Sequence, residues 1–405
     1  GIYSIDKNTV YPTAKVTLEQ TDRAYSSQLY EAGLNYNREF GKHDVGATLV
    51  VNYHRLNNQY MTGKNLDKTS VPETMGVAKS SKLNGDESIN ERASMIGRLK
   101  YGYDSKYFAE FSFRIDGSTN FSPDNRWGFF PSISTSWVLS NEKFFKNWNQ
   151  NVVSNAKLRL STGWLGNDGL VSAYSYLKNY TESPNYGYSF GSSSNTTGNY
   201  SPGFTLLAYP NTDLTWGKTH DYNIGADFGF FNGKIGISFD YFIRYETNKI
   251  TSAPDYLFPP STGVDGAYPS MNFSKLKAWG WDLTLSHKNT IGKLKYNVSV
   301  NIAKSDDEYT DFGDETAQLP NLRRKGTSSM VWQMYQADGL FQSQEEIDNW
   351  PLDQDGQGNK TLAPGDIKYV DQNDDHILDS NDYILVKNSS YPDMDLSFRM
   401  GVQYK

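Results

Sequence analysis

The segment Asp371-Gln372-Asn373-Asp374-Asp375-His376-Ile377-Leu378-Asp379-Ser380-Asn381-Asp382 carries the densest run of hard oxygen donors in the sequence. Its spacing fits an EF-hand-type loop. Asp371, Asn373, Asp375, Asp379 and Asp382 stand where side-chain oxygens are wanted, Ile377 stands at the main-chain position, and Leu378 is the apolar residue that follows. Ca²⁺ needs six to eight oxygens at short range, and alternate residues of a tight loop can turn that many inward. Two departures weaken the match: His376 replaces the Gly that permits the sharp turn, and Asp382 replaces a bidentate Glu. A solvated acidic turn is the other reading. Asp353-Gln354-Asp355-Gly356 resembles half of such a loop and reads as an ordinary Asp-Gly turn.

Other chemistry is sparse. His43, His54, His220, His287 and His376 are scattered without metal-ligand spacing, and neither a Walker-type phosphate loop nor a Gly-x-Ser-x-Gly elbow occurs. The absence of Cys removes thiol catalysis, Cys-ligated zinc and disulfides. Glu345-Glu346 follows Ser343 and reads as the solvated first turn of a short helix from Ser343 to Trp350, with Ser343 as N-cap. The expectation is a protein that performs no covalent chemistry.

The elements that must carry these residues are β-strands. Among the 405 residues, 29 Tyr, 21 Phe and 34 Gly with only 37% hydrophobic side chains lean toward β-structure. A net charge of -7 argues against a nucleic-acid partner, which would require clustered cations. With no apolar run of 18 residues and a mean hydropathy of -0.66, no transmembrane helix is expected. A membrane-spanning barrel stays open, because its strands alternate lipid-facing and lumen-facing residues. The start, Gly-Ile-Tyr-Ser, lacks a Met and a signal peptide, which suggests a processed chain or a piece of a longer one.

Period-two alternation runs through long stretches. In one, Tyr107, Ala109, Phe111, Phe113 and Ile115 oppose Glu110, Ser112, Arg114 and Asp116. In another, Ile235, Ile237, Phe239, Tyr241 and Ile243 oppose Gly236, Ser238, Asp240 and Arg244. About twelve such strands can be counted. Tight turns at Phe40-Gly41-Lys42, Asp104-Ser105-Lys106, Asn232-Gly233 and Thr290-Ile291-Gly292 alternate with long polar loops near 58–92, 117–129, 166–217, 247–274 and 306–393. An up-and-down meander places all the turns at one end and all the loops at the other, as in outer-membrane barrels. One connection on the turn side, Ser140 to Trp148, reads as a short helix with Ser140 as N-cap and Glu142 in its first turn. A soluble sandwich would also alternate, but its strands are usually shorter and its outer face is less aromatic.

Four blocks stand in order along the chain: Phe111-Ser112-Phe113-Arg114-Ile115-Asp116-Gly117-Ser118 with Asn125-Arg126-Trp127-Gly128-Phe129-Phe130-Pro131-Ser132, Lys157 to Asn167, Asn211 to Phe231, and Asp338-Gly339-Leu340-Phe341-Gln342 with Pro364 to Asp371. Together they resemble the SusC/RagA family of TonB-dependent outer-membrane transporters of Bacteroidetes. The resemblance implies an all-β antiparallel transmembrane barrel of 22 strands in the bacterial outer membrane. It also implies an N-terminal plug, a TonB box contacting the TonB complex, and a SusD-like lipoprotein lid. The plug and the last strands are not expected within residues 1–405, which read as a barrel segment. Import of oligosaccharides or peptides is the implied activity, in a wall bathed by lipid and lipopolysaccharide. The residues expected to meet substrate are Arg114, Asp116, Asp240 and Arg244 in the lumen, and Tyr186 and Tyr188 in the aromatic 166–217 loop. The loop rings could equally pack against each other or a partner protein. An envelope scaffold that binds partners without transport is the alternative.

Overall fold

The computed structural model describes residues 2–4, 17–65, 81–146, 152–169, 171, 173–189, 200–252, 257–258, 261, 268–314, 319–387 and 391–404. In chain order the strands are β1 (Ile2–Ser4), β2 (Thr17–Phe40), β3 (His43–Asn65), β4 (Ser81–Tyr103), β5 (Tyr107–Ser118), β6 (Trp127–Val138) and β7 (Val153–Asn167). A hairpin of β8 (Asn179–Ser189) and β9 (Tyr200–Ala208) interrupts the meander. It resumes with β10 (Gly217–Phe230), β11 (Ile235–Ser252), β12 (Ser270–Ile291) and β13 (Leu294–Asp311). A long excursion contains β14 (Val331–Tyr335), β15 (Ala337–Leu340), β16 (Ile367–Tyr369) and β17 (Tyr383–Lys387), and β18 (Met394–Tyr404) returns to the sheet. The main sheet has twelve strands in the order β1-β2-β3-β4-β5-β6-β7-β10-β11-β12-β13-β18, every neighbouring pair antiparallel. The expected strand count and meander are therefore observed, as an open arc of a barrel.

Because directly paired residues share a face, the register turns the alternation of each strand into continuous belts. Ala47, Leu99, Phe111 and Ile133 lie side by side across four strands. Leu160, Ile224, Tyr241 and Trp281 continue the same face, and so do Phe239, Leu283, Ile302 and Leu396. Among the described residues this face is largely open: Leu160 is 55% exposed and Leu396 69%. An apolar surface of this extent is far larger than the few hundred Å² a soluble monomer tolerates, and a lipid phase is the medium that covers it. At its long-loop edge the belt turns aromatic, with Trp164 stacked on His220 at 4.1 Å and Tyr222 beside them. The opposite face carries Thr48, Arg98, Ser112 and Ser132 in one row and Asp240 beside Asp282 in another, as a wet lumen requires.

Short and long connections alternate along the chain, but the strands reach further into the long connections than expected, with β11 running to Ser252, β12 beginning at Ser270 and β13 running to Asp311. The expected 58–92 loop is largely strand, since β3 continues to Asn65 and β4 begins at Ser81. The 24 residues of β2 span about 80 Å, well over twice the hydrocarbon thickness. Strand that projects beyond lipid is wet on both faces, so its sequence loses the apolar alternation while the backbone ladder persists. A second correction concerns the Ser140 connection. Leu139–Asn141 is a single 3-10 turn with no side-chain cap, followed by the four-residue α1 (Lys143–Lys146). Glu142 instead accepts hydrogen bonds from the Tyr107 hydroxyl and from Trp137 Nε1 (3.2 Å), so it ties the turn to the sheet. At the β10–β11 turn, Asn232 and Gly233 both have positive φ (56° and 75°), as the Asn-Gly dipeptide predicts.

Candidate functional site

The packed core of the molecule lies at the long-loop end on the lumen side. Phe121, Phe130, Val171, Leu214, Trp216 and Ile250 form one buried cluster. Phe121 and Val171 come from loops, and Trp216 packs on both Phe121 and Phe130 with ring centroids 5.3 and 5.4 Å away. Its indole Nε1 donates to the Arg126 carbonyl at 2.9 Å, so the one polar atom of the ring is satisfied. Glycine makes the packing possible: a Cβ on Gly166 would stand 2.1 Å from the Phe130 ring. The blocks that carried the family resemblance are thus the ones that fold the loops onto the strand ends.

A polar knot sits beside this core. Asp168, only 6% exposed, accepts from Arg92 Nη2 (2.8 Å) and Ser118 Oγ (2.7 Å). Asn120 Nδ2 donates to the Asp168 main-chain oxygen (3.1 Å) and carboxylate (3.3 Å), while the Asn120 carbonyl oxygen accepts from Asn90 Nδ2 (2.8 Å). Three separate segments, β4, the 119–126 loop and the 168–216 connection, are held together by these bonds. Ser118 and Asn120 are buried, so their bonds to Asp168 are made where water cannot substitute, whereas the Arg92 end of the knot is half exposed.

Below the knot a cavity of about 580 Å³ opens on the lumen face, lined by Arg92, Arg98, Glu110, Arg114, Asp116 and Asp168 under Phe130 and Trp216. The cations and carboxylates are already matched. Arg114 holds Asp116 through Nε (3.1 Å) and Nη2 (2.9 Å), and Arg98 Nη2 holds Glu110 at 2.5 Å. Such partly wet guanidinium–carboxylate pairs present fixed donors and acceptors side by side, suited to hydroxyl, amide or carboxylate groups of a passing solute.

The expected substrate residues divide between sites. Arg114 and Asp116 meet in this cavity. Asp240 lies lower on the lumen wall, where Arg159 reaches across β10 to both Asp240 (2.8 and 2.9 Å) and Asp227 (2.8 and 3.1 Å). Arg244 is bound by Asp221 (2.6 Å) and borders a smaller cavity of about 270 Å³ beneath the long excursion. The side chains of Tyr186 and Tyr188 lie outside the described residues. Arg92, Asp168 and Arg159 were missed from sequence. Arg92 fell inside the stretch read as loop, whereas Arg159 could have been found from its place opposite Leu158 and Leu160 in an alternating strand.

The excursion 312–393 is a folded unit. β14 pairs with β17 and β15 with β16, and α2 (Gln344–Asp348) is capped by Ser343, whose Oγ accepts from the Glu346 amide at 3.2 Å as expected. Phe341, Ile347 and Leu352 form its interior, and Ser328 Oγ on Asp307 (2.6 Å) with Lys387 on Asp306 (2.8 Å) fastens it to β13. In the acidic turn, Asp371 receives the amides of Asn373 (3.3 Å), Asp374 (2.7 Å) and His376 (2.9 Å). His376 adopts positive φ (64°), the conformation Gly would supply. Asp375 receives the Ile377 amide and Asn373 Nδ2 (2.9 and 2.8 Å). Asp382 is buried with both carboxylate oxygens engaged, accepting from the Gln372 (2.8 Å) and Asp379 (2.9 Å) amides, with Asp379 capping the 3-10 turn that follows. Among the described residues no group of three His, Asp or Glu side chains converges on a cation position. Burial pulls the Asp371 carboxyl upward, but the amides of His376, Asp374 and Asn373 outweigh it and hold the group below the usual carboxylate range.

Comparison with known proteins adds identity to this geometry. Residues 3–405 match the family described as TonB dependent receptor-like, beta-barrel. TonB-dependent receptor SusC of Bacteroides thetaiotaomicron is 29% identical over 363 residues, covering 84% of this chain and 34% of that protein. TonB-dependent receptor P26 of Formosa agariphila is 30% identical over 336 residues, covering 80% and 31%. The chain thus spans about a third of the length of these relatives. Among solved structures, the RagAB peptide transporter shares the fold with a TM-score of 0.73 at 20% identity, over 96% of this chain and 40% of that one. The chain belongs to the TonB-dependent receptor β-barrel family of the bacterial outer membrane.

Proposed function

We propose that the protein of which this chain forms the wall imports oligosaccharides or peptides across the outer membrane. The import is driven through the TonB complex and capped by a SusD-like lipoprotein. The single observation that carries this reading is the cavity of about 580 Å³ under the loops, where Arg98–Glu110 and Arg114–Asp116 face the lumen directly beneath the folded mouth. Family membership supports an import role, and the description of RagAB as a peptide transporter supports peptides as one cargo class. The TonB complex acts through a part of the protein outside this chain. Lipid and lipopolysaccharide cover the apolar belt. The excursion 312–393, folded and carrying exposed Trp332, Leu340 and Ile367, is the surface offered to the lipoprotein.

Uptake of candidate oligosaccharides and peptides is measured in cells carrying the intact protein, with and without the TonB motor. The reading expects uptake that disappears without the motor and falls in Arg114→Ala. Uptake that survives loss of the motor sinks it, and binding of envelope partners without any uptake would establish the scaffold alternative.

We also propose that the 371–382 turn binds Ca²⁺. The amide-gathering role of Asp371 and the positive φ of His376 favour it; the engagement of both Asp382 oxygens by main-chain amides opposes it. Thermal unfolding of the excursion in millimolar Ca²⁺ against chelator decides the matter, and coincident curves end the claim.

A further inference from the structure

At the short-turn rim, far from the mouth, lysines collect on the lumen face. The Lys288 amide donates to the Lys234 carbonyl at 2.7 Å, which continues the β11–β12 register by one step beyond Ile235↔His287 and sets Lys234 and Lys288 directly opposite each other. Lys288 faces Asn297 and Thr290 faces Lys295, so Lys295 is diagonal to Lys288 on the same face. Side chains so placed have Cβ atoms about 5 Å apart when opposite and about 7 Å when diagonal, and like charges at that range repel. The three lysines border a concavity of about 730 Å³ completed by Asn232, Asn297 and Gln403, with no Asp or Glu in its lining. Elsewhere on the lumen wall Arg98, Arg114, Arg159 and Arg244 each have a carboxylate in hand. These three lysines, in contrast, have no carboxylate among the described residues that border them, and an anion from elsewhere would relieve their repulsion.

Two features identify the class of anion. The lysines occupy the face opposite Leu283 and Leu285 of the apolar belt, so phospholipid headgroups lie on the other side of the wall. The concavity spans the β10–β11 turn, β12, β13 and β18 and is far larger than one phosphate, while Asn232, Asn297 and Gln403 offer the paired donors and acceptors that match a peptide main chain. A Cβ on Gly401 would fall 2.2 Å from Asn297 Oδ1, so glycine keeps the floor open for that amide. We propose that Lys234, Lys288 and Lys295 form a docking site for an acidic polypeptide segment at the turn-side end of the lumen.

The test uses the full-length protein in detergent and a fluorescent hexaglutamate peptide, followed by anisotropy. The proposal expects binding that hexaglutamine does not reproduce and that weakens as salt rises through about 0.1 M. It also expects the affinity to fall by about tenfold or more in the K234Q/K288Q/K295Q variant and to recover in the corresponding triple Arg variant. Recovery with Arg separates lost charge from lost folding. Unchanged affinity in the Gln variant overturns the proposal. So does equal binding of hexaglutamine, or displacement by inorganic phosphate at matched charge, which would mark a small-anion site.

Discussion

Replacing Asp168 with Ala tests whether the polar knot holds the loops over the lumen. The Ser118 hydroxyl, 1% exposed, loses its acceptor at 2.7 Å, and leaving a buried donor unsatisfied costs about 1–3 kcal/mol. Arg92 loses its 2.8 Å charged bond, but its side chain is 46% exposed, so water recovers much of that interaction and its share is about 1 kcal/mol. Asn120 keeps the main-chain oxygen of residue 168 and contributes little. The sum, roughly 2–4 kcal/mol, makes local opening about thirty to a thousand times more frequent. Native-state hydrogen exchange reads this directly. The Tyr174 amide donates to the Thr119 carbonyl (3.1 Å), and the Thr119 amide to the Glu91 carbonyl (3.2 Å), so both report on the junction. Their exchange should accelerate by at least about thirtyfold while amides in mid-sheet, such as Leu160, stay protected. Asp168→Asn retains an acceptor for Ser118 and should show a markedly smaller effect. Unchanged exchange at Tyr174 and Thr119, or identical effects of Ala and Asn, would refute the reasoning.

Gly225→Val places a Cβ 2.5 Å from Asp240 Oδ1 and 2.7 Å from Arg159 Cζ, so the arginine can no longer cross β10. A loss of about 1–3 kcal/mol is expected, visible as a lower heat-dissociation temperature of the detergent-solubilised barrel, and an unaltered temperature counts against the clamp. In the excursion, Asp355 is held below the usual carboxylate range by the Thr361 amide and hydroxyl and the Gln357 and Asn359 amides, and Glu346 by the Gln342 amide and Lys368. Depressed folded pKa values contribute stability that is present above the ordinary carboxylate pKa, near 4, and lost as pH falls through the folded values. Proteolysis of the 343–382 region should therefore accelerate only below about pH 4, and loosening already between pH 7 and 5 would contradict the assignment. Tyr335 is pushed up to about 12 by burial and by its bond to Tyr383. The contribution it makes to the β14–β17 pair is complete below about pH 10 and lost as pH rises through 12, so phenolate absorbance should lag the other tyrosines; synchronous titration would argue against it.

The barrel arc was legible because its physics is local. Alternation such as Phe239 against Asp240 depends only on which side of a strand each residue faces, and Asn232-Gly233 specifies its turn by backbone conformation alone. Residues 58–65 and 81–92 were misread because they leave the lipid, and with water on both sides nothing selects apolar residues although the ladder continues. The mouth was legible only as a set of motifs. Nothing in Asp116-Gly117-Ser118 or Leu165-Gly166-Asn167 announces that Ser118 will meet Asp168, fifty residues away, or that Phe130 will lie over Gly166. Those contacts exist only after the β6–β7 ladder stops at Ser132↔Gly163 and the strand ends part to admit the loop core.

That division of labour explains where stability and selectivity reside. A single sheet with lipid on one face and water on the other has little interior of its own, so among the described residues most of the large buried side chains are at the loop end, at Phe121, Trp216 and their neighbours, and in the small interior of the 312–393 excursion. Backbone pairing alone positions the lumen groups, which is why Arg159 must bridge three strands to be fixed and why Gly225 must lie beneath it. Loop exchange at the mouth can then alter what the cavity admits without disturbing the ladder, provided that Asp168 and the Phe130–Trp216 contact survive. A graft of a foreign 119–126 loop that keeps Asn120 and Phe121 should leave the barrel's heat-dissociation temperature unchanged, whereas the same graft without them should lower protection at Thr119 and Tyr174. Equal behaviour of the two grafts would mean that the core at the mouth does not hold the loops.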